Sequence, residues 1–347
     1  MSYFKNLIHS DLISILNSRS NEIKLGERID YPKDNQSIED FIKTTSATFL
    51  IFGIAEDYGI KANNGVVGAK SAWAEYVKCF VNIQNNTFLK GKSVAVLGNF
   101  EFDSVLNIDP NLDIKNVEHL QVLYDTVSLV DKEISYLISV LIKHKKVPII
   151  IGGGHNNAYG NIKGLSLAKG KAVNVVNFDA HTDFRNIDGR HSGNGFSYAY
   201  HQGFLKKYFV FGAHENYLTK SILKNIEATN SNVLYNTYES IAVREEKDFK
   251  NELKFALEHI EKDSFGIEVD MDAIPNIAAS AQTPSGFSLE NARKFVHFFG
   301  SHKKAAYLHI CEAAPSLAST ENKGQIGKAI TYLVTDFIKA KTNISEN

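Results

Sequence analysis

Short apolar stretches rich in β-branched and aromatic residues alternate along this chain with longer segments whose apolar positions recur every three or four residues. A parallel sheet covered by helices on both faces produces that alternation. Strands are predicted at 48–54, 93–97, 147–151, 172–177, 208–211, 265–269 and 305–310, each almost continuously apolar, as burial on both faces requires. The clearest helix carries Leu120, Leu123, Val127, Val130, Ile134, Leu137 and Leu141 on one stripe. Further helices are predicted over 219–227, 249–261, 289–299 and 325–339, whereas 1–45 and 61–92 carry no period that places them.

At 347 residues and 44% hydrophobic content the chain can bury a large core. No repeat, low-complexity tract or Pro/Ser-rich linker divides it, so the simplest reading is one domain over 1–347, with 1–45 as an amino-terminal extension. Thirty-eight Lys and Arg against 39 Asp and Glu leave a formal charge of -1, too little basic excess to hold nucleic acid or anionic lipid, so a small molecule is the expected partner. The two cysteines, Cys79 and Cys311, are far apart and outside any CxxC spacing, which argues against a disulfide framework and for a reducing compartment. The first residues lack a basic segment followed by an apolar one, and no run approaches the roughly 20 apolar residues that span a bilayer; a cytoplasmic location is expected.

Three predicted strands run straight into polar clusters, and in open parallel sheets ligands gather at the carboxyl ends of strands. After 147–151 comes Gly152-Gly153-Gly154-His155-Asn156-Asn157, where glycines permit a tight turn and deliver His155 to the sheet edge. A plain strand-to-helix turn or a phosphate cradle reads the same way in isolation. After 172–177 comes Asp179-Ala180-His181-Thr182-Asp183-Phe184-Arg185. Residues two apart in extended chain point one way, so Asp179, His181 and Asp183 can converge; the alternative is a solvated acidic turn. The third cluster, Glu268-Val269-Asp270-Met271-Asp272, pairs Asp270 with Asp272 and leaves Glu268 deeper in the strand, in a structural hydrogen-bonding role. Buried carboxylates require compensation, and two histidines with four aspartates form a nitrogen and oxygen donor set whose four negative charges match two divalent cations.

Taken in this order and spacing, Gly-Gly-Gly-His, Asp-Ala-His-Thr-Asp and Asp-Met-Asp resemble the signature of the arginase/agmatinase/formimidoylglutamase superfamily, from about residue 48 to Pro315. The resemblance implies a three-layer α/β/α fold with a mainly parallel, eight-stranded sheet and a pair of Mn2+ ions, other divalent metals being possible. It implies that His155 and Asp183 hold one metal and that His181 and Asp272 complete the second, with Asp179 and Asp270 bridging. Cys311-Glu312-Ala313-Ala314-Pro315 matches the segment whose glutamate faces the substrate's guanidinium or amidinium, so Glu312 takes that role here, while Cys311 reads as a small core residue.

Within the superfamily, Phe196 stands where arginases and agmatinases carry a histidine in Ser-Gly-Asn-x-His, and it can neither shuttle a proton nor hydrogen-bond an amino group. Asp183-Phe184-Arg185, the stretch His191–Phe196, the segment Phe211–Tyr217 and the run Gly65–Trp73 resemble formimidoylglutamases instead. The implied activity is hydrolysis of N-formimidoyl-L-glutamate to glutamate and formamide, a step of histidine degradation, by water activated between two cations. Asp183 would carry the proton to the departing nitrogen and Glu312 would hold the amidinium. Arg185 would clamp a substrate carboxylate, unless it forms a surface ion pair with Asp188, and Arg190, His191, Ser192 and Asn194 are further expected substrate contacts. Two alternatives stay open: a ureohydrolase acting on another guanidino or amidino compound, and a catalytically silent member that binds an amino acid. Assembly as a homo-oligomer is compatible with the family but carries no mark in the sequence.

Overall fold

Nine strands form one sheet in the computed structural model of the protein, which describes residues 2–345. Met1 and the last two positions of the expected 1–347 domain lie outside the described residues. The strands are β1 (Phe4–Asn6), β2 (Phe49–Ala55), β3 (Val94–Glu101), β4 (Val147–Ile151), β5 (Val173–Phe178), β6 (Leu205–Ala213), β7 (Val233–Thr237), β8 (Phe265–Asp270) and β9 (Ala305–Cys311), and their spatial order is β1-β3-β2-β4-β9-β8-β5-β6-β7. Every pairing is parallel except that of β1 with β3.

The three-layer α/β/α architecture is as expected, and the strand count is corrected from eight to nine. Both strands at the sheet edges escaped the pattern analysis for a physical reason. β7 buries only Val233 and Asn236 of its five residues, and the three residues of β1 are at most half-buried, so neither carries the apolar run of an interior strand. β1 closes the edge of β3 beside Gly98, whose φ of +127° and lack of a side chain let the Lys5 carbonyl approach; a Cβ there would lie 2.0 Å from that oxygen.

Helices cover both faces, as buried parallel strands demand. On one side the helices Ala72–Phe80, Phe249–Ile260, Leu289–Gly300 and Thr320–Ser345 pack over Ile51, Val96, Val176, Ile267 and Leu308. On the other, Ile38–Thr44, Val117–Lys143, Ala158–Lys169 and Lys220–Glu227 cover Leu50, Leu97, Val175, Val210 and Tyr307. Side-chain caps set several helix starts: Asn116 accepts from the Glu118 and His119 amides, Thr219 from Ile222 and Ser288 from Asn291. Among the described residues no helix is long and apolar enough to cross a membrane.

The strand order is what builds the site. Neighbours β2, β4, β9, β8 and β5 are scattered from residue 49 to residue 311 in sequence, yet their carboxyl ends lie side by side. Each of them leads into a polar residue: Glu56 after β2, His155 after β4, Glu312 after β9, Asp270 and Asp272 at β8, and Asp179 after β5.

Candidate metal centre and substrate cavity

The turn after β4 brings His155 to the sheet edge. Gly152 and Gly153 adopt φ of +87° and +72°, and a Cβ on Gly153 would sit 2.3 Å from the Asn157 side-chain nitrogen. One buried carboxylate ties this turn down: Glu56 accepts from the Gly154 amide at 3.2 Å, the Asn156 and Asn157 side chains at 3.1 and 2.7 Å, and the Tyr58 amide at 2.8 Å. Glu56 stands directly after a buried strand, as the other site acids do, but is not among the residues expected at the site.

His155 is fully buried, and its Nδ1 faces three carboxylates: Asp183 at 2.9 Å, Asp270 at 3.1 Å and Asp179 at 3.2 Å. His181 Nδ1 lies 3.2 Å from Asp272 and 3.6 Å from Asp179. All six sequence-predicted ligands therefore come together: besides a trio of His155, Asp270 and the Cys311 thiol, they form two overlapping groups, His155, Asp179, Asp183 and Asp270, and Asp179, His181 and Asp272. Asp179 belongs to both. Asp270, expected as a second bridge, stands in the first of these and also beside His155 and Cys311, with one oxygen accepting the Asp272 amide at 2.8 Å.

Convergence is reached by a tight turn and not by the extended chain that the spacing suggested. Asp179 accepts the His181 amide at 2.7 Å, and Asp183 adopts φ of +46°, a left-handed conformation costly for a residue with a side chain. Glu312 shares that strain, with φ of +61°; it is pinned by its amide bond to the Gly153 carbonyl and by the His155 amide, which donates to its carboxylate at 2.9 Å.

The electrostatics are those of a cation-seeking cluster. Burial raises the Asp270 carboxyl well above its ordinary range, and the adjacent Asp272 and Asp179 add to the rise. Burial opposes protonation of His155, but neighbouring Cys311 and the close carboxylates of Asp179, Asp183 and Asp270 outweigh it, so its pKa is raised. Neither ring nitrogen of His155, nor Asp272 Oδ1, has a hydrogen-bond partner, although all three atoms are buried. Orphaned buried donors and acceptors are rare. Together with the purely nitrogen and oxygen character of both groups, they fit a pair of divalent cations.

Behind His155 lies a second carboxylate. Glu268, on β8, receives the Tyr307 hydroxyl at 2.7 Å, faces His309 Nδ1 at 2.5 Å, and has His155 Nε2 at 3.7 Å. Its structural role was anticipated; its three partners were not. Burial works against its ionisation, yet the charge of His309 and the nearness of both histidines hold its pKa down at about 2. A ligating histidine oriented by a carboxylate on its far nitrogen is a common arrangement, and loss of such a partner costs about 10–100-fold in metal affinity. Glu268→Gln should weaken one of the two metal sites by about that factor. Chelator competition checks this, and unchanged affinities of both sites would refute the role.

A cavity of about 450 Å3 opens onto the cluster, lined by His181, Asp183, Asp270, Asp272 and Glu312 from the chemistry and by Arg185 and Ser192 from the expected substrate contacts. A larger cavity of about 680 Å3 shares Gly65 with it but is walled by Asp57, Tyr58, Val66 and Lys70 and, among the described residues, brings no metal-ligating group together. Arg190, His191 and Asn194, also expected to touch substrate, are placed elsewhere. Arg190 is buried in a two-pronged pair with Asp131 at 2.9 and 3.1 Å, between the rings of Tyr159 and Tyr198, and also donates to Asn194 at 2.8 Å. Asn194 in turn holds the Gly189 carbonyl at 2.7 Å. His191 accepts the Gly193 amide, and burial pushes its pKa down to about 4. These three residues shape the loop that carries Ser192. Phe196 likewise lies outside the cavity, stacked on Tyr208 at 4.3 Å and edge-on to His155 at 5.1 Å. Asn63, Tyr217 and Ser280 line the cavity unanticipated; Tyr217 stacks on His181 with centroids 4.6 Å apart.

The arginase family's sequence model matches residues 48–335. The formimidoylglutamase of Geobacillus kaustophilus is 27% identical over 305 residues, covering 85% of this chain and 84% of its own, and that of Geobacillus thermodenitrificans is 30% identical over 281 residues, covering 78% and 77%. Among solved structures, the formimidoylglutamase of Bacillus subtilis superposes with a TM-score of 0.72 at 19% identity over 94% of both chains. The Trypanosoma cruzi formiminoglutamase solved with Mn2+ gives 0.70 at 17% identity, over 92% of this chain and 98% of that one. Fold, site and relatives define a hydrolase that acts on the C–N bonds of linear amidines. The chain belongs to the arginase family and is formimidoylglutamase-like within it.

Proposed function

We propose that the protein hydrolyses N-formimidoyl-L-glutamate to glutamate and formamide, with two Mn2+ ions in the donor cluster. The observation that carries this reading is the charge layout of the cavity. Four carboxylates line it, and Arg185 is the one Lys or Arg among its described lining residues. Among the described residues no carboxylate lies within 4.0 Å of that guanidinium; Asp188, its alternative partner, faces His191 at 3.6 Å instead. An acidic wall together with an unneutralised arginine suits a ligand with a cationic amidine at one end and carboxylates at the other. A diamine-derived guanidine would set its ammonium against Arg185.

When bound, the cations would supply the acidity that makes water nucleophilic near neutral pH. Glu312, anchored by the His155 amide, holds the amidinium with its carboxylate. Asp183 carries a proton to the departing nitrogen, so that glutamate leaves as an amine. Arg185 and Ser192 retain the distal carboxylates. Residues 1–347 are proposed to act as one domain in this reaction.

Metal-loaded protein should release formamide from formimidoylglutamate, and Arg185→Ala should lower kcat/KM by about tenfold or more with metal content preserved. Urea from arginine, agmatine or guanidinobutyrate, with no formamide from formimidoylglutamate, would overturn the reading.

A further inference from the structure

Arg185 is exposed and lies in irregular chain, so something must hold it toward the cavity. Its backbone amide donates to the Gly193 carbonyl at 3.1 Å, and its Nη1 donates to Asn63 Oδ1 at 3.2 Å. An arginine can only donate, so the atom facing it is the amide oxygen; the Asn63 nitrogen then donates to Ser192 Oγ at 3.0 Å. One side chain thus bridges the two expected substrate contacts that line the cavity. The room is tight: a Cβ on Gly193 would lie 3.0 Å from Arg185 Cδ and 3.2 Å from Asn63 Nδ2.

Asn63 is itself firmly placed. It caps the short helix Tyr58–Ala62, donating from its backbone to Gly59 and Ile60 at 3.1 Å; Asn64 then turns left-handed with φ of +61°, and the Gly65 amide returns to Ile60 at 2.8 Å. The Val66 amide crosses to Ser280 Oγ at 3.0 Å, tying this rim of the cavity to the opposite one. Residue type matters as much as position. A carboxamide takes one N–H of the guanidinium and leaves its charge intact, whereas an aspartate of the same shape would neutralise it.

We propose that Asn63 is a specificity-positioning residue: it aims Arg185 at the distal carboxylate of the substrate while leaving the arginine's charge free for that carboxylate. The inference rests on the formimidoylglutamate reading above. Asn63→Asp places a competing anion on Arg185 at almost unchanged shape, and Asn63→Ala removes the tether alone.

The test measures kcat and KM of the metal-loaded wild type and both variants with formimidoylglutamate and with an N-alkylformamidine that has no carboxylate. In Asn63→Asp the preference for formimidoylglutamate, as a ratio of kcat/KM values, should fall at least about tenfold through KM more than kcat, and in Asn63→Ala by less. Metal content and Tm, read in parallel, report on folding. An unchanged preference in Asn63→Asp, or equal losses on both substrates in both variants, overturns the inference while the activity stands. Wild type inactive on formimidoylglutamate overturns the substrate reading itself, and the inference with it.

Discussion

Asp179→Asn should loosen both cations at once and lower turnover by about three orders of magnitude. Asp179 is the one residue common to both donor groups, with one oxygen 3.2 Å from His155 Nδ1 and the other 3.6 Å from His181 Nδ1. The substitution keeps shape but removes the charge. It also sets an amide nitrogen against a donor, because the two carboxylate oxygens already accept from the His181 amide and the Asn177 side chain. Several kcal/mol of transition-state stabilisation depend on such cations, and about 4 kcal/mol corresponds to a roughly thousandfold loss. Asp270→Asn is the control: absent from the group of His181 and Asp272, it should weaken one ion more than the other. Metal counts per chain after gel filtration, with turnover alongside, decide the matter. Two tightly held ions in Asp179→Asn would show that the groups do not share it.

Glu312→Gln should keep both cations and lose roughly 10²–10³ in kcat, the usual cost of removing one preorganised electrostatic contact. Its amide oxygen can still accept the His155 amide, so the turn that carries the metal ligand is retained. What disappears is a buried charge whose carboxyl burial pushes well above the ordinary range, with Asp272 and Asp183 pushing in the same direction. A cationic amidine placed there relieves that repulsion. Near wild-type turnover with full metal content would remove Glu312 from the substrate's path.

The ligand cluster was legible because each member follows a buried, almost wholly apolar strand, and a carboxylate in that place is costly without a cation. The substrate side was less so. Arg190 and Arg185 look alike in sequence, yet the side chain of one is fully paired with Asp131, on the distant helix Val117–Lys143, and that of the other donates to the neutral Asn63 amide. Nothing near Arg190 in the chain announces Asp131, which stands on a helix read only for its apolar stripe. Asn63 and Glu56 were missed for related reasons: the first lies in a stretch without period, and three of the second's four partners lie 98–101 residues away in the chain.

The amino-acid sequence by itself determined the class of fold and singled out six candidate ligands and the glutamate beside them. These depend on local features: strand-length apolar runs, glycines that permit a sharp turn, and acids at strand ends. Only the tertiary structure decided which residues share a site, because a parallel sheet orders its strands by crossover and not by sequence. β9 and β8 sit between β4 and β5, so Glu312 meets His155 across 157 residues. Side-chain packing likewise brings Asp179 into both the His155 and the His181 groups and sets Arg185 against the neutral Asn63 amide. Such outcomes turn on differences of about an ångström between side chains that no local pattern relates.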